Sequence, residues 1–213
     1  MYLSRLILNP RHRRVQSEIA RPYEMHRTVL RAFPDNLDRL AERVLYRLDV
    51  QPRTGELHLL VQSVIPPDWS WLASPEMRGY LLPVDVPNPA IKPFDVQLGT
   101  GQVLLFRLLA NPTVKRQGKR YGLYRENEQR QWLAQKGLRG GFQVLSARVS
   151  NHTTIEDRVY HGEVSHTLQF LAVQFDGLLR VSDPTILRQT VQQGIGSGKG
   201  FGFGLLSLAL PPG

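Results

Sequence analysis

An α+β fold is what the sequence predicts, and three observations carry it. Val44, Tyr46 and Leu48 alternate with Arg43, Arg47 and Asp49, the two-residue period of a half-buried strand. Two predicted helices open on proline, at Pro22 and Pro184, and the predicted helices end at Pro34, Gly137 and Gly194. Residues 83–93 hold four prolines and no clear period, which marks a linker between two halves. Each half reads in the order β-α-β-β-α-β, the ferredoxin-like arrangement. The expected domains are two tandem ferredoxin-like units, residues 1–92 and 93–213.

In the first half, residues 2–8 form a strand that ends at Asn9-Pro10. A helix runs over 22–33, with Pro22 at its first position and Pro34 as its stop. The strand at 44–48 turns through Gln51-Pro-Arg-Thr-Gly55 into a returning strand over 57–64, and a short helix lies near 69–77. In the second half, residues 102–110 form a strand closed by Asn111-Pro112. A helix over 126–136 is capped by Gly137, and residues 142–149 form the next strand. Residues 153–160 and 163–175 make a hairpin that turns at His161-Gly162. Asp183-Pro184 supplies an N-cap and a first-position proline for a helix to Gln193, ended by Gly194. Residues 203–210 are the last strand.

Composition narrows the partners. Of 213 residues, 41% are hydrophobic, enough for a buried core, and the net charge is +9. That excess favours a polyanion, either nucleic acid or an anionic surface. No apolar run approaches the roughly 20 residues of a membrane span. Pro10 and the basic run 11–14 rule out a secretory signal at the N-terminus. The absence of cysteine excludes disulfides, Cys-zinc sites and thiol nucleophiles, and a cytoplasmic location is the simplest reading.

From Gly194 to Gly204 every second residue is glycine. In an extended segment this bares one face, against which a nucleic-acid backbone or another chain segment would lie. The spacing fits neither the dinucleotide fingerprint nor the phosphate loop. Lys199-Gly-Phe-Gly-Phe203 matches the first five positions of the RNA-recognition-motif signature, but on a last strand, where Phe201 and Phe203 are equally well core residues.

Chemical groups concentrate in Arg21-Pro-Tyr-Glu-Met-His-Arg27. On a helix Tyr23, His26 and Arg27 share a face, and Arg31 follows one turn later. An imidazole moves protons near neutral pH, and guanidinium groups hold phosphate and offset its charge. An ordinary helix surface is the competing reading. No His or carboxylate set has metal-ligand spacing, and no acidic cluster suggests a two-metal nuclease, so no metal or other cofactor is expected. A metal-free cut of a phosphodiester needs a nucleophile, and RNA carries its own in the 2′-OH. Lys115, Arg116, Lys119 and Arg120 flank Gly118 in a predicted loop, suited to gripping phosphates or to being a solvated charge run.

Asn9-Pro10, Pro22-Tyr-Glu-Met-His-Arg27, Ala110-Asn-Pro112, Gly118-Lys-Arg120 and the glycine-rich segment to Ser207 resemble, in this order, the CasE family. These are CRISPR-RNA processing endoribonucleases of the type I-E Cascade complex. The resemblance implies two tandem ferredoxin-like, RNA-recognition-motif-like domains. It implies metal-free cleavage of the repeat hairpin in precursor CRISPR RNA, leaving a 2′,3′-cyclic phosphate and a 5′-OH. The mature guide RNA and the other Cascade subunits are the implied partners. By the same resemblance Tyr23 and His26 are catalytic and Arg31 stabilises charge. Arg27, Lys115, Arg116, Lys119, Arg120 and Arg158 of the hairpin contact RNA, as do Gly196, Gly198, Lys199 and Gly200. The alternative is a non-catalytic RNA-binding protein with the same two domains.

Overall fold

The computed structural model describes residues 1–38, 41–161 and 164–212, with the side chains of all of these except 151, 152, 157–161 and 164–168. The fold is α+β with antiparallel sheets, and the chain divides into two compact units. One holds Met1–Asp95 together with Gly200–Gly202; the other holds Val96–Lys199 and Phe203–Gly213.

The first unit runs β1 (Tyr2–Leu8), α1 (Arg13–Ala20), α2 (Pro22–Leu30), β2 (Leu45–Val50), β3 (Leu57–Ser63) and β4 (Ala90–Pro93). The sheet order is β2-β3-β1-β4. Leu6 and Leu8 of β1, Tyr46 of β2 and Leu59 and Val61 of β3 point to one face, where they meet Met25 and Val29 of α2. Strand alternation and the helix period thus converge on one core. The short helix expected near residues 69–77 is two 3₁₀ turns, Ser70–Ala73 and Pro75–Met77. They bury Leu72 and Met77 in the same core.

Two elements here depart from the sequence reading. Helix α1 had no expectation, because Val15 and Ile19 are too sparse to show an apolar period. Its inner face carries one apolar and one charged residue: Val15 is buried in the core, and Glu18 is buried and bonded to Arg14 and Tyr80. The linker of residues 83–93 ends in strand β4, whose residues pair with Tyr2–Arg5 of β1. Its prolines hid it, yet an edge strand tolerates proline. Just before it, the Asn88 side chain bonds both backbone groups of Ile7, each at 2.9 Å, and so extends the pairing along β1.

The second unit runs β5 (Val103–Ala110), β6 (Thr113–Arg116), β7 (Lys119–Gly122), α3 (Glu126–Arg139), β8 (Phe142–His161), β9 (Val164–Val181), α4 (Pro184–Gln193) and β10 (Leu206–Ala209). Its main sheet has the order β10-β5-β9-β8. Helix α4 starts as predicted: the Asp183 carboxylate accepts from the N–H groups of Thr185 and Ile186, both at 2.9 Å. Helix α3 does not stop at Gly137 but continues to Arg139. Gly137 serves packing, since a Cβ there would stand 2.8 Å from the Phe142 carbonyl oxygen. The strand at 142–149 and the first arm of the hairpin are one strand, β8, with register shifts at Val144/Ser146 and Ser150/Thr153. The expected loop after β5 is a second hairpin, β6–β7.

Candidate functional site

Helix α2 carries the predicted pair. Pro22 pre-sets its first turn, and Tyr23 and His26 follow three apart, with ring centroids 6.3 Å from each other. Both rings are half-buried. Two further groups close on them within the same unit. Tyr46 of β2, buried, lies nearly parallel to the imidazole of His26, at 6.3 Å and 19°. Phe201 lies 6.1 Å from Tyr23, and a Cβ on Gly200 would stand 3.4 Å from Nε2 of His26. The imidazole therefore sits among a phenol that reaches solvent, a buried phenol and a glycine backbone. Sequence reasoning missed Tyr46, which reads only as an inward strand residue twenty positions from His26.

The face shared by Tyr23, His26 and Arg27 on a helical wheel divides. Arg27 turns to Glu24, at 3.4 Å, and with Arg31 lines a cleft of about 700 Å³ against Arg13, Arg14 and Arg21, which Tyr23 and His26 do not line. Arg31 follows the last residue of α2 and stacks on Trp71, with its guanidinium carbon 4.2 Å from the ring centroid. That contact fixes a cation that stays solvent-exposed.

The glycine-rich segment is not the extended strand expected. Five of its six glycines have positive φ, and Lys199–Phe201 is a 3₁₀ turn. The two-residue beat therefore sets backbone conformation rather than clearing one face of a strand. Gly204 shows why: at φ +90° its N–H bonds the Leu109 carbonyl, and a Cβ would stand 2.7 Å from the Ile195 carbonyl oxygen. Lys199-Gly-Phe-Gly-Phe203 is not on a sheet, so it cannot present stacked aromatics there. Phe203 is fully buried beside Phe170. The Lys199 ammonium donates to the Gly196 carbonyl at 2.7 Å. Gly196 rests on Trp132 and Gly198 on Phe203 and Phe170.

In the second unit Lys115 and Arg116 of β6 stand opposite Arg120 and Lys119 of β7. Gln117 and Gly118 make the turn, with φ 47° and 80°, and all four cations are exposed. Like charges directly opposite each other destabilise a hairpin. Lys115, Arg116, Arg120, Lys136, Arg139 and Lys199 border a groove of about 800 Å³. Arg158 is on β8, opposite Thr167, and its side chain lies outside the described residues, as does the turn at Gly162. Among the described residues no three His, Asp or Glu side chains gather as metal ligands, and no helix is long and apolar enough to cross a membrane.

A sequence model of the CRISPR associated protein family matches residues 1–210. The chain is 37% identical to the CRISPR-associated endoribonuclease Cse3 of Thermus thermophilus, over 98% of this chain and 100% of that protein. It is 30% identical to the CRISPR system Cascade subunit CasE of Escherichia coli K12, over 98% and 99%. The solved structure of Thermus thermophilus Cse3 bound to an RNA representing a pre-cleavage complex superposes with a TM-score of 0.85, at 36% identity over 98% of each chain. Order of elements, sequence and fold agree over the full chain, which belongs to the CasE family of CRISPR-associated proteins.

Proposed function

We propose that this chain is a metal-independent endoribonuclease that cuts the repeat hairpin of precursor CRISPR RNA and keeps the mature guide RNA within a Cascade assembly in the cytoplasm. The observation that carries the reading is the His26 imidazole, half-buried on α2 beside Tyr23 in a chain similar throughout to an endoribonuclease. The 2′-OH upstream of the cut attacks the adjacent phosphorus and gives up its proton. The bond from phosphorus to the 5′ oxygen breaks, and that oxygen takes a proton. The products are a 2′,3′-cyclic phosphate and a 5′-OH, with no net change in protons. His26 transfers protons and Tyr23 positions the linkage. Arg31, held over Trp71, offsets charge on the phosphate.

The basic hairpin β6–β7 and the groove beside it grip the RNA backbone, together with Arg27, Arg158 and residues 196–200. The like-charged pairs across β6–β7 support this, because a polyanion relieves their repulsion. Hairpin RNA is recognised largely by shape and backbone, which suits such a surface. Each unit is read as a ferredoxin-like domain, residues 1–92 and 93–213. The support is that each four-stranded sheet places its first strand in chain order between its third and its last, β3-β1-β4 and β9-β5-β10.

The test is a panel of CRISPR repeat hairpins with and without a single 2′-deoxy nucleotide at the cut site, in excess EDTA. Cutting of the ribose substrate to a cyclic phosphate, with uncut but bound deoxy substrate, is expected. RNA that is bound and left whole in every case assigns the chain to non-catalytic binding. A strict need for divalent metal overturns the mechanism.

A further inference from the structure

The geometry points to Tyr46 as the positioning residue of the His26 imidazole, an assignment that rests on the proton-transfer role just given to His26. Tyr46 is 3% exposed and points from β2 into the core beneath α2. Its hydroxyl lies 2.9 Å from the Pro22 carbonyl oxygen and 3.1 Å from the Gly200 carbonyl oxygen. One phenol thereby ties the first residue of α2 to the 3₁₀ turn of the glycine-rich segment. Between these two anchors its ring runs parallel to the imidazole. Gly202 completes the seat: a Cβ there would stand 3.2 Å from the Tyr46 ring.

The three attachments have one consequence. His26 is on the helix whose start Tyr46 holds, it stacks on the Tyr46 ring, and its Nε2 faces the glycine that Tyr46 bonds. A ring that moved would shift the helix start, the turn and the imidazole together. Proton transfer requires hydrogen-bond reach of the reacting oxygen, and misplacement by about 1 Å costs on the order of 100-fold in rate. Tyr46 is buried beneath α2, so its contribution is placement. The glycine-rich segment accordingly acts in the reaction through Gly200–Gly202, as the wall against which the imidazole is set.

The experiment measures single-turnover cleavage and hairpin affinity for Tyr46→Phe, Tyr46→Leu, His26→Ala and the His26→Ala/Tyr46→Leu double variant. His26 ring resonances are followed by ¹H–¹⁵N NMR. Tyr46→Leu is expected to slow cleavage about 100-fold with affinity within about twofold of wild type. Tyr46→Phe keeps the ring, and an intermediate rate with shifted His26 resonances is expected. In the His26→Ala background Tyr46→Leu should add nothing, as for residues that act as a unit. Wild-type cutting by Tyr46→Leu, with His26→Ala inactive, overturns the Tyr46 assignment alone. So does a loss of affinity that accounts for the whole effect, or unmoved His26 resonances in Tyr46→Phe. Wild-type cutting by His26→Ala instead overturns the reading of His26 beneath it.

Discussion

The Tyr80 hydroxyl donates to the buried Glu18 carboxylate at 2.6 Å, and this bond joins helix α1 to the segment after the 3₁₀ turns. Arg14 reaches the same carboxylate at 2.8 Å, and the Thr28 hydroxyl of α2 donates to it as well. A buried carboxylate thus lies beside the apolar packing of Val15 between the two helices, and it is tolerated because three donors surround it.

Removing that carboxylate leaves buried donors without an acceptor. Glu18→Ala should cost about 3 kcal/mol, the low end for breaking a buried pair because Arg14 retains access to water. Tyr80→Phe should cost about 2 kcal/mol. Urea unfolding followed by tryptophan fluorescence measures both. Burial pushes the Tyr80 phenol well above its ordinary value, and the Glu18 carboxylate adds to the effect. Its contribution to stability is therefore full below the unfolded value near 10 and declines as pH rises above it. The decline is about 1.4 kcal/mol per pH unit. Tyr80→Phe should lack that part of the alkaline slope, and an unchanged slope would contradict the assignment.

His26→Ala should reduce cleavage by at least about 100-fold, within the range for loss of a general acid–base group. Hairpin affinity should stay close to wild type. Gel analysis of cleavage beside filter binding of the uncut hairpin separates the two. A variant that cuts at the wild-type rate removes His26 from the mechanism.

Reversing the charge of Lys115, Arg116, Lys119 and Arg120 should weaken hairpin binding and make its salt dependence shallower. For every phosphate no longer neutralised, the slope of log affinity against log salt should fall by about 1. Affinity measured between low and moderate salt gives the slope. An unchanged slope would mean that the β6–β7 cations are merely solvated.

Gly204→Ala and Gly118→Ala should differ sharply. Both glycines have positive φ, but a Cβ at Gly118 meets open space, whereas at Gly204 it meets the Ile195 carbonyl. Gly118→Ala should cost about 1 kcal/mol and Gly204→Ala about 3 kcal/mol, from backbone strain and steric overlap together. Equal losses in thermal unfolding would show that the 194–204 segment yields to accommodate the side chain.

By itself the sequence determined what rests on local rules. Asp183-Pro184 starts α4, Pro22 starts α2, and the alternation at Val44, Tyr46 and Leu48 places Tyr46 inward. The motifs with their order carried the family, and Tyr23 and His26 needed only the helical repeat to become neighbours. The tertiary structure decided whatever depends on partners remote in the chain. Helix α1 is held by a carboxylate whose donors lie up to 62 residues away, and β4 is a strand because β1 offers it an edge. The alternating glycines fit an extended strand by period alone. Only the surrounding packing forces them into left-handed turns and brings Gly200 to His26, and only packing places Tyr46 between them. Periodicity records the face a residue presents, whereas the group it meets on that face is fixed when distant segments close around a common core.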